Sequence, residues 1–142
     1  RLPSRRLLAC SSLFLPVHAP HGATGIVQQR MDRFSASKQQ LKQIQAALGA
    51  QDFENIVTAA ASIRDWAREM PDYFPAGSGG EPSKASPRIW ESFDGFRDSA
   101  KAHETAAAEL ILAAQSGQQD DTINAFQQLA QTCSSCHKAF RQ

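Results

Sequence analysis

Apolar residues recur along this chain at helical spacing and nowhere in the alternating pattern of a strand. Between Gly25 and Gly49, Val27, Phe34, Leu41 and Leu48 repeat at heptad intervals with Ile44 between them, which predicts one face of a bundled helix. Arg30 and Ser37 interrupt that seam, placing a cation and a small hydroxyl where an apolar layer belongs. A second helix is predicted from about Asp52, a capping carboxylate, to Met70, with Phe53, Ile56, Val57, Ala60, Ile63, Trp66, Ala67 and Met70 facing inward. Pro71 ends it and opens a long connection to Ser86 rich in proline and glycine. Ser86-Pro87 then reads as a cap followed by proline at the first helical position, starting a third helix that runs to Gly117 through Ile89, Phe93, Phe96, Ala100, His103, Ala107, Leu110 and Ala114. The last helix starts at Asp120 or Asp121, either of which can cap it, and turns Ile123, Phe126, Leu129, Ala130, Cys133, Cys136, His137 and Phe140 inward. The expected fold is all-α, an antiparallel four-helix bundle with two short links and one long one.

The chain has 142 residues, of which 42% are hydrophobic and 20% charged, enough for one domain with a real core. Its first nineteen residues read differently from the rest. Arg1, Arg5 and Arg6 precede an apolar run from Leu7 to Val17, and Val17-His18-Ala19 offers small residues for cleavage, so 1–19 is expected to be an export signal and 20–142 the domain. The run is shorter than the ~20 apolar residues of a membrane span. Leu7-Leu8-Ala9-Cys10 is a weaker rival, a lipid-attachment box. Loss of 1–19 removes three arginines and no acid, so a net charge of +1 becomes about −2. Neither value suggests a nucleic-acid partner, which would call for a clustered basic surface.

The chemistry sits at the end of the chain. Cys133-Ser134-Ser135-Cys136-His137 has the C-x-x-C-H spacing at which two thiols bond covalently to the vinyl groups of a c-type haem and the adjacent imidazole takes the iron. On a helix the two cysteines share a face, and the histidine follows closely enough to reach the metal. A zinc site would want four ligands, and Cys10, His18, His21 and His103 are scattered far away. A thioredoxin-like redox pair would want a βαβ setting. One covalently bound haem c is therefore expected, and export fits its attachment outside the cytoplasm. Arg30 by itself reads as a solvated flank, the commoner state of a single arginine, but against a buried haem it gains a purpose, because the propionates need a cationic donor and a guanidinium pairs with carboxylates bidentately. Tyr73 and Phe74 at the mouth of the long loop read as core plugs that can also touch a cofactor. His103, on or beside the apolar face of the third helix, reads as a hydrogen-bonded, half-buried histidine more readily than as an iron ligand.

A haem motif at the C-terminal end of four amphipathic helices resembles the cytochromes c prime over about residues 25–141. The resemblance rests on Arg30 with Phe34 one turn later, on Asp72-Tyr73-Phe74-Pro75 before a Gly-rich loop, on Pro87-Arg88-Ile89-Trp90, and on Cys133 to Arg141. It implies thioether anchors at Cys133 and Cys136 and a solvent-exposed proximal ligand at His137. It further implies a basic neighbour at Arg141, a propionate partner at Arg30, and haem contacts at Phe74 and Trp90. It places Phe34 at the distal position, where an apolar residue keeps the iron five-coordinate and a methionine would make it six-coordinate. Phenylalanine has no lone pair to give, so the expectation is a periplasmic, non-enzymatic protein that binds nitric oxide or carbon monoxide, transfers electrons, or both. Met31 is the rival ligand, whose sulfur would make a low-spin carrier of raised potential. Members are commonly homodimers through their first helices, although residues 28–46 here are rich in Gln, Lys and Ser. The expected partners are small diatomic gases and an unidentified redox protein.

Overall fold

The computed structural model describes residues 23–142, so the expected export segment 1–19, with Cys10, lies outside the described residues. Helix α1 spans Ala23–Ala50, α2 Phe53–Glu69, α3 Arg88–Glu91, α4 Phe93–Ser116 and α5 Gln119–Phe140, with a 3₁₀ turn at Met70–Tyr73. The four long helices form the expected antiparallel bundle. Packing is extensive between α1 and α2, between α2 and α4, and between α4 and α5, while α1 and α5 meet only sparsely.

Two apolar clusters stack along the bundle axis. At the end of the α1–α2 and α4–α5 turns, Ile44, Leu48, Ile56, Ile63, Leu110 and Leu129 close a conventional aliphatic core. There Gln119 Nε2 donates to the carbonyl of Leu48 at 2.9 Å and ties α5 to the end of α1. At the opposite end Trp66, Met70, Phe74, Ile89 and Phe96 form an aromatic cluster, against which Phe34, Cys136 and Phe140 pack. The cysteines of the motif belong to this second end.

Local chemistry set most of the boundaries. The Asp52 carboxylate caps α2, accepting from the Asn55 N–H at 3.2 Å. Pro71 ends α2, whose last turn tightens into the 3₁₀ turn. Two expectations need correction. Asp120 and Asp121 do not cap α5, which begins after Gln118 with no side-chain cap; both carboxylates lie in its first turn, where they still face the positive end of the helix dipole. The third helix is also not continuous from Ser86 to Gly117. Ser86 Oγ does accept from the Arg88 N–H, but the helix breaks at Ser92, at φ −136° and ψ 61°, which separates α3 from α4. The break lets α3 bury Ile89 while the indole N–H of Trp90 reaches the carbonyls of Phe74 and Pro75, at 3.0 and 3.1 Å. Neither glycine nor proline occupies the break, so tertiary packing overrides a locally helical pattern.

Leu110 is fully buried in the aliphatic cluster, away from the motif. Leu110→Ala is expected to cost about 2–5 kcal/mol in urea unfolding, by lost transfer energy and the cavity left behind, without altering the visible spectrum of the attached haem.

Candidate functional site

The two cysteines are free and half-buried, three residues apart on α5. Cys136 packs on the aromatic cluster, and the Cys133 Sγ lies 3.8 Å from the carbonyl of Leu129. Burial raises both thiols; that of Cys136, with Cys133 adding to the effect, is pushed up to about 11. Such thiols stay protonated near neutral pH. His137 is exposed beside them, and its pKa is lowered by partial burial and then by the Arg141 charge one turn on. Among the described residues no three His, Cys, Asp or Glu side chains gather as a bare metal site.

Arg30 is the structural surprise of the opposite wall. Its side chain is 2% exposed, although a lone arginine in a helical seam is more often a solvated flank. The guanidinium lies 4.3 Å over the ring of Phe74 and donates four hydrogen bonds. Nη1 reaches the Tyr73 carbonyl at 3.0 Å and Ser78 Oγ at 2.7 Å; Nη2 reaches the Ser78 carbonyl at 2.5 Å and Ser83 Oγ at 2.9 Å. Gly77 and Gly80 take φ of +79° and +86°, backbone that only glycine adopts freely, and so fold the loop around the cation. All four acceptors are neutral. The charge itself has no carboxylate partner among the described residues, and Nε–H is used by none of these bonds.

Phe34 stands between the two walls. Its ring meets Trp66 edge-on at 5.3 Å between centroids and Phe74 at 6.4 Å; Phe74 continues to Phe96 at 4.8 Å, and Phe96 to Phe140 at 5.5 Å. Met31 by contrast is 38% exposed on the outer flank of α1. Trp66 Nε1 is buried without a hydrogen-bond partner, as is Ser37 Oγ. Trp90 spends its N–H on the loop carbonyls, so it clamps the loop beside whatever surface its ring offers a cofactor.

These groups fit a haem c. The thiols are placed for two thioether bonds, the aromatic cluster suits the apolar macrocycle, and an uncompensated cation with an orphan indole N–H suits its carboxylates. A groove of about 280 Å³ between α4 and α5, lined by Ser99, Gln128, Thr132 and Ser135, touches Cys136 but neither Arg30 nor Phe34. Sequence reasoning assigned no site role to Ser78, Ser83 or Trp66. The serines sit in a loop without periodicity, and Trp66 read as ordinary core; its level opposite Phe34 was the available signal.

His103 is the hydrogen-bonded histidine expected. It is 8% exposed, and its Nδ1 lies 2.7 Å from Thr132 Oγ1. Since Thr132 gives its own proton to the Leu129 carbonyl at 2.6 Å, Nδ1 carries the hydrogen and donates. Burial, and secondarily the nearby His137, lower its pKa to about 4.

Comparison with known proteins agrees with this geometry. The Cytochrome C' family matches residues 25–141. The chain is 35% identical over 111 residues to a cytochrome c-556 of Agrobacterium tumefaciens (strain II Chrys), covering 71% of this chain and 89% of that protein. The crystal structure of cytochrome c' from Thermochromatium tepidum covers 87% of this chain and 98% of its own at a TM-score of 0.78 and 20% identity. A nitric oxide complex of a mutant cytochrome c prime from Alcaligenes xylosoxidans gives a TM-score of 0.77 at 21% identity, covering 86% of this chain and 98% of its own.

Two outcomes test the site. Arg30→Gln is expected to lower stability by roughly 3 kcal/mol and speed proteolysis within 74–83, because buried acceptors lose a charged donor. Acid should act through His103. An unfolded imidazole binds a proton below pH 6.5 that the folded one refuses until about pH 4, so stability is lost as pH falls across that window, by about 3 kcal/mol at its foot. His103→Gln should lack that part of the acid loss in urea titrations from pH 7 to 4.

Proposed function

Since the chain belongs to the cytochrome c' family, we propose that it is an exported haem protein that admits small neutral ligands such as nitric oxide or carbon monoxide at a sterically guarded distal site and also passes single electrons. Haem c, held covalently through Cys133 and Cys136, supplies an iron that changes between ferrous and ferric states and can take a diatomic ligand. The protein's own residues decide the rest. His137, exposed on α5, would hold the iron through its imidazole. Arg30, with Trp66 Nε1, meets the carboxylates, and the same guanidinium keeps the loop folded over Phe74.

Phe34 carries the proposal. Its ring is wedged edge-on against Trp66 and Phe74, offers no lone pair, and must swing aside before a ligand can enter. Apolar guarding of this kind disfavours ligands that rely on a hydrogen-bond donor. The nitric oxide complex of the Alcaligenes xylosoxidans relative supports the choice of ligand class. Met31, exposed on the outer flank, would need α1 to turn before its sulfur faced the same side, and nothing in the packing of Phe34 favours that. An exported location and homodimerisation through α1 belong to the same proposal; no described helix is long and apolar enough to cross a membrane.

The test is Phe34→Ala. Carbon monoxide association with the ferrous protein is expected to quicken at least about tenfold, equivalent to about 1.4 kcal/mol of barrier removed. Stopped-flow traces identical to those of the unmodified protein would remove Phe34 from the distal site.

A further inference from the structure

The rim beside His137 is built from two stretches that the fold ties together. Antiparallel pairing of Ala85 with Arg141 joins them: the Ser86 N–H donates to the Phe140 carbonyl at 2.8 Å, and the Gln142 N–H to the Lys84 carbonyl at 2.9 Å. Residues 82–90 contribute Lys84 and Arg88, residues 133–142 contribute Lys138 and Arg141, and neither stretch contains an Asp or Glu. All four cations are exposed, as is His137, and among the described residues none of the four makes an ion pair. Of the eight cations elsewhere among the described residues, four are paired, Arg33 with Glu69, Arg64 and Arg68 with Asp65, and Arg68 and Lys101 with Glu104, and four, Arg30, Lys38, Lys42 and Arg97, are not, but these four are spread over α1 and α4. Residues 23–142 carry 12 basic and 14 acidic side chains, so this rim is a basic patch on a slightly acidic body. Asp52, Glu54, Asp120 and Asp121 lie at the start of α2 and α5, the other end of the bundle, while Glu81 and Glu91 flank the first rim stretch and Asp94 opens α4, none of them paired with a rim cation.

We propose that the rim formed by Lys84, Arg88, Lys138 and Arg141 is the docking surface for an electron-transfer partner, and that this partner presents an acidic face around its own redox centre. The inference rests on the electron-passing reading above and adds the charge of the partner to it. Unpaired surface cations gathered at one end orient a molecule in the field of an opposite patch and accelerate encounter, with strong salt dependence. In each exchange one electron leaves the reduced protein for an oxidised partner, and no bond or proton changes hands.

The experiment follows oxidation of the reduced full-length protein by hexacyanoferrate(III), an anion that becomes hexacyanoferrate(II) on taking the electron, across a range of ionic strength. The double variant K84E/K138E is compared with K38E/K42E, which makes the same change in net charge on the exposed face of α1, and the mass of each variant in solution is measured so that any effect on the proposed α1 dimer is read separately. The expected result is a rate that falls as salt rises, a loss on the order of tenfold at low salt in K84E/K138E, and little change in K38E/K42E. A carboxylate chromatography matrix provides a readout independent of electron transfer: K84E/K138E should elute at lower salt than K38E/K42E. Equal effects of the two double variants in both assays would show that only net charge matters and would overturn the proposal. Binding to phosphatidylserine vesicles that K84E/K138E abolishes would reassign the rim to a lipid surface and overturn it as well. Absence of oxidation by hexacyanoferrate in every form, with the matrix difference intact, would instead overturn the electron-passing reading beneath it.

Discussion

The haem end of this bundle depends on holding α1 and α5 apart while both stay fixed to the central pair α2 and α4. A planar cofactor bonded to α5 needs an apolar surface to lie on, and the aromatic cluster against which Cys136 and Phe34 both pack offers one. The aliphatic cluster and the Gln119 to Leu48 hydrogen bond close the far end. At the near end the helices are linked through rings, from Phe34 to Trp66 and Phe74 and on through Phe96 to Phe140.

Arg30 solves an electrostatic problem at that end. A buried cation is costly unless it is hydrogen-bonded and compensated. The loop from Tyr73 to Ser83 supplies neutral acceptors, which satisfies the hydrogen bonds but leaves the charge, and a haem carboxylate is the natural complement. The same side chain thus joins the register of α1 to the fold of the long loop, and its charge is proposed to meet the polar edge of the cofactor. Phe34 lies one turn further along α1, so whatever fixes Arg30 also fixes the Phe34 ring, the residue proposed for the distal face.

Much of this was legible in the residues. Heptad spacing identified the long helices, and the C-x-x-C-H spacing identified the cofactor and its helix, because both depend on local, repeating geometry. The break at Ser92 was not legible, since its cause is the docking of Ile89 and Trp90 under the loop and no local breaker marks it. The role of Ser78 and Ser83 was hidden for a related reason: a Gly-rich segment carries no period from which facing can be read. Arg30 was ambiguous, as its sequence context allows both a solvated flank and a buried partner, and only burial decides between them.

The basic rim lies on the end of α5 and the stretch paired to it, whereas Phe34 stands on α1. All of this presumes an iron held by His137 alone, with Phe34 standing off the other face. The visible spectrum of the ferrous protein tests that most directly. A single broad band in the α/β region, as high-spin five-coordinate haem gives, is the predicted result. Sharp, resolved α and β bands would mean that a sixth protein ligand holds the iron, and would contradict it.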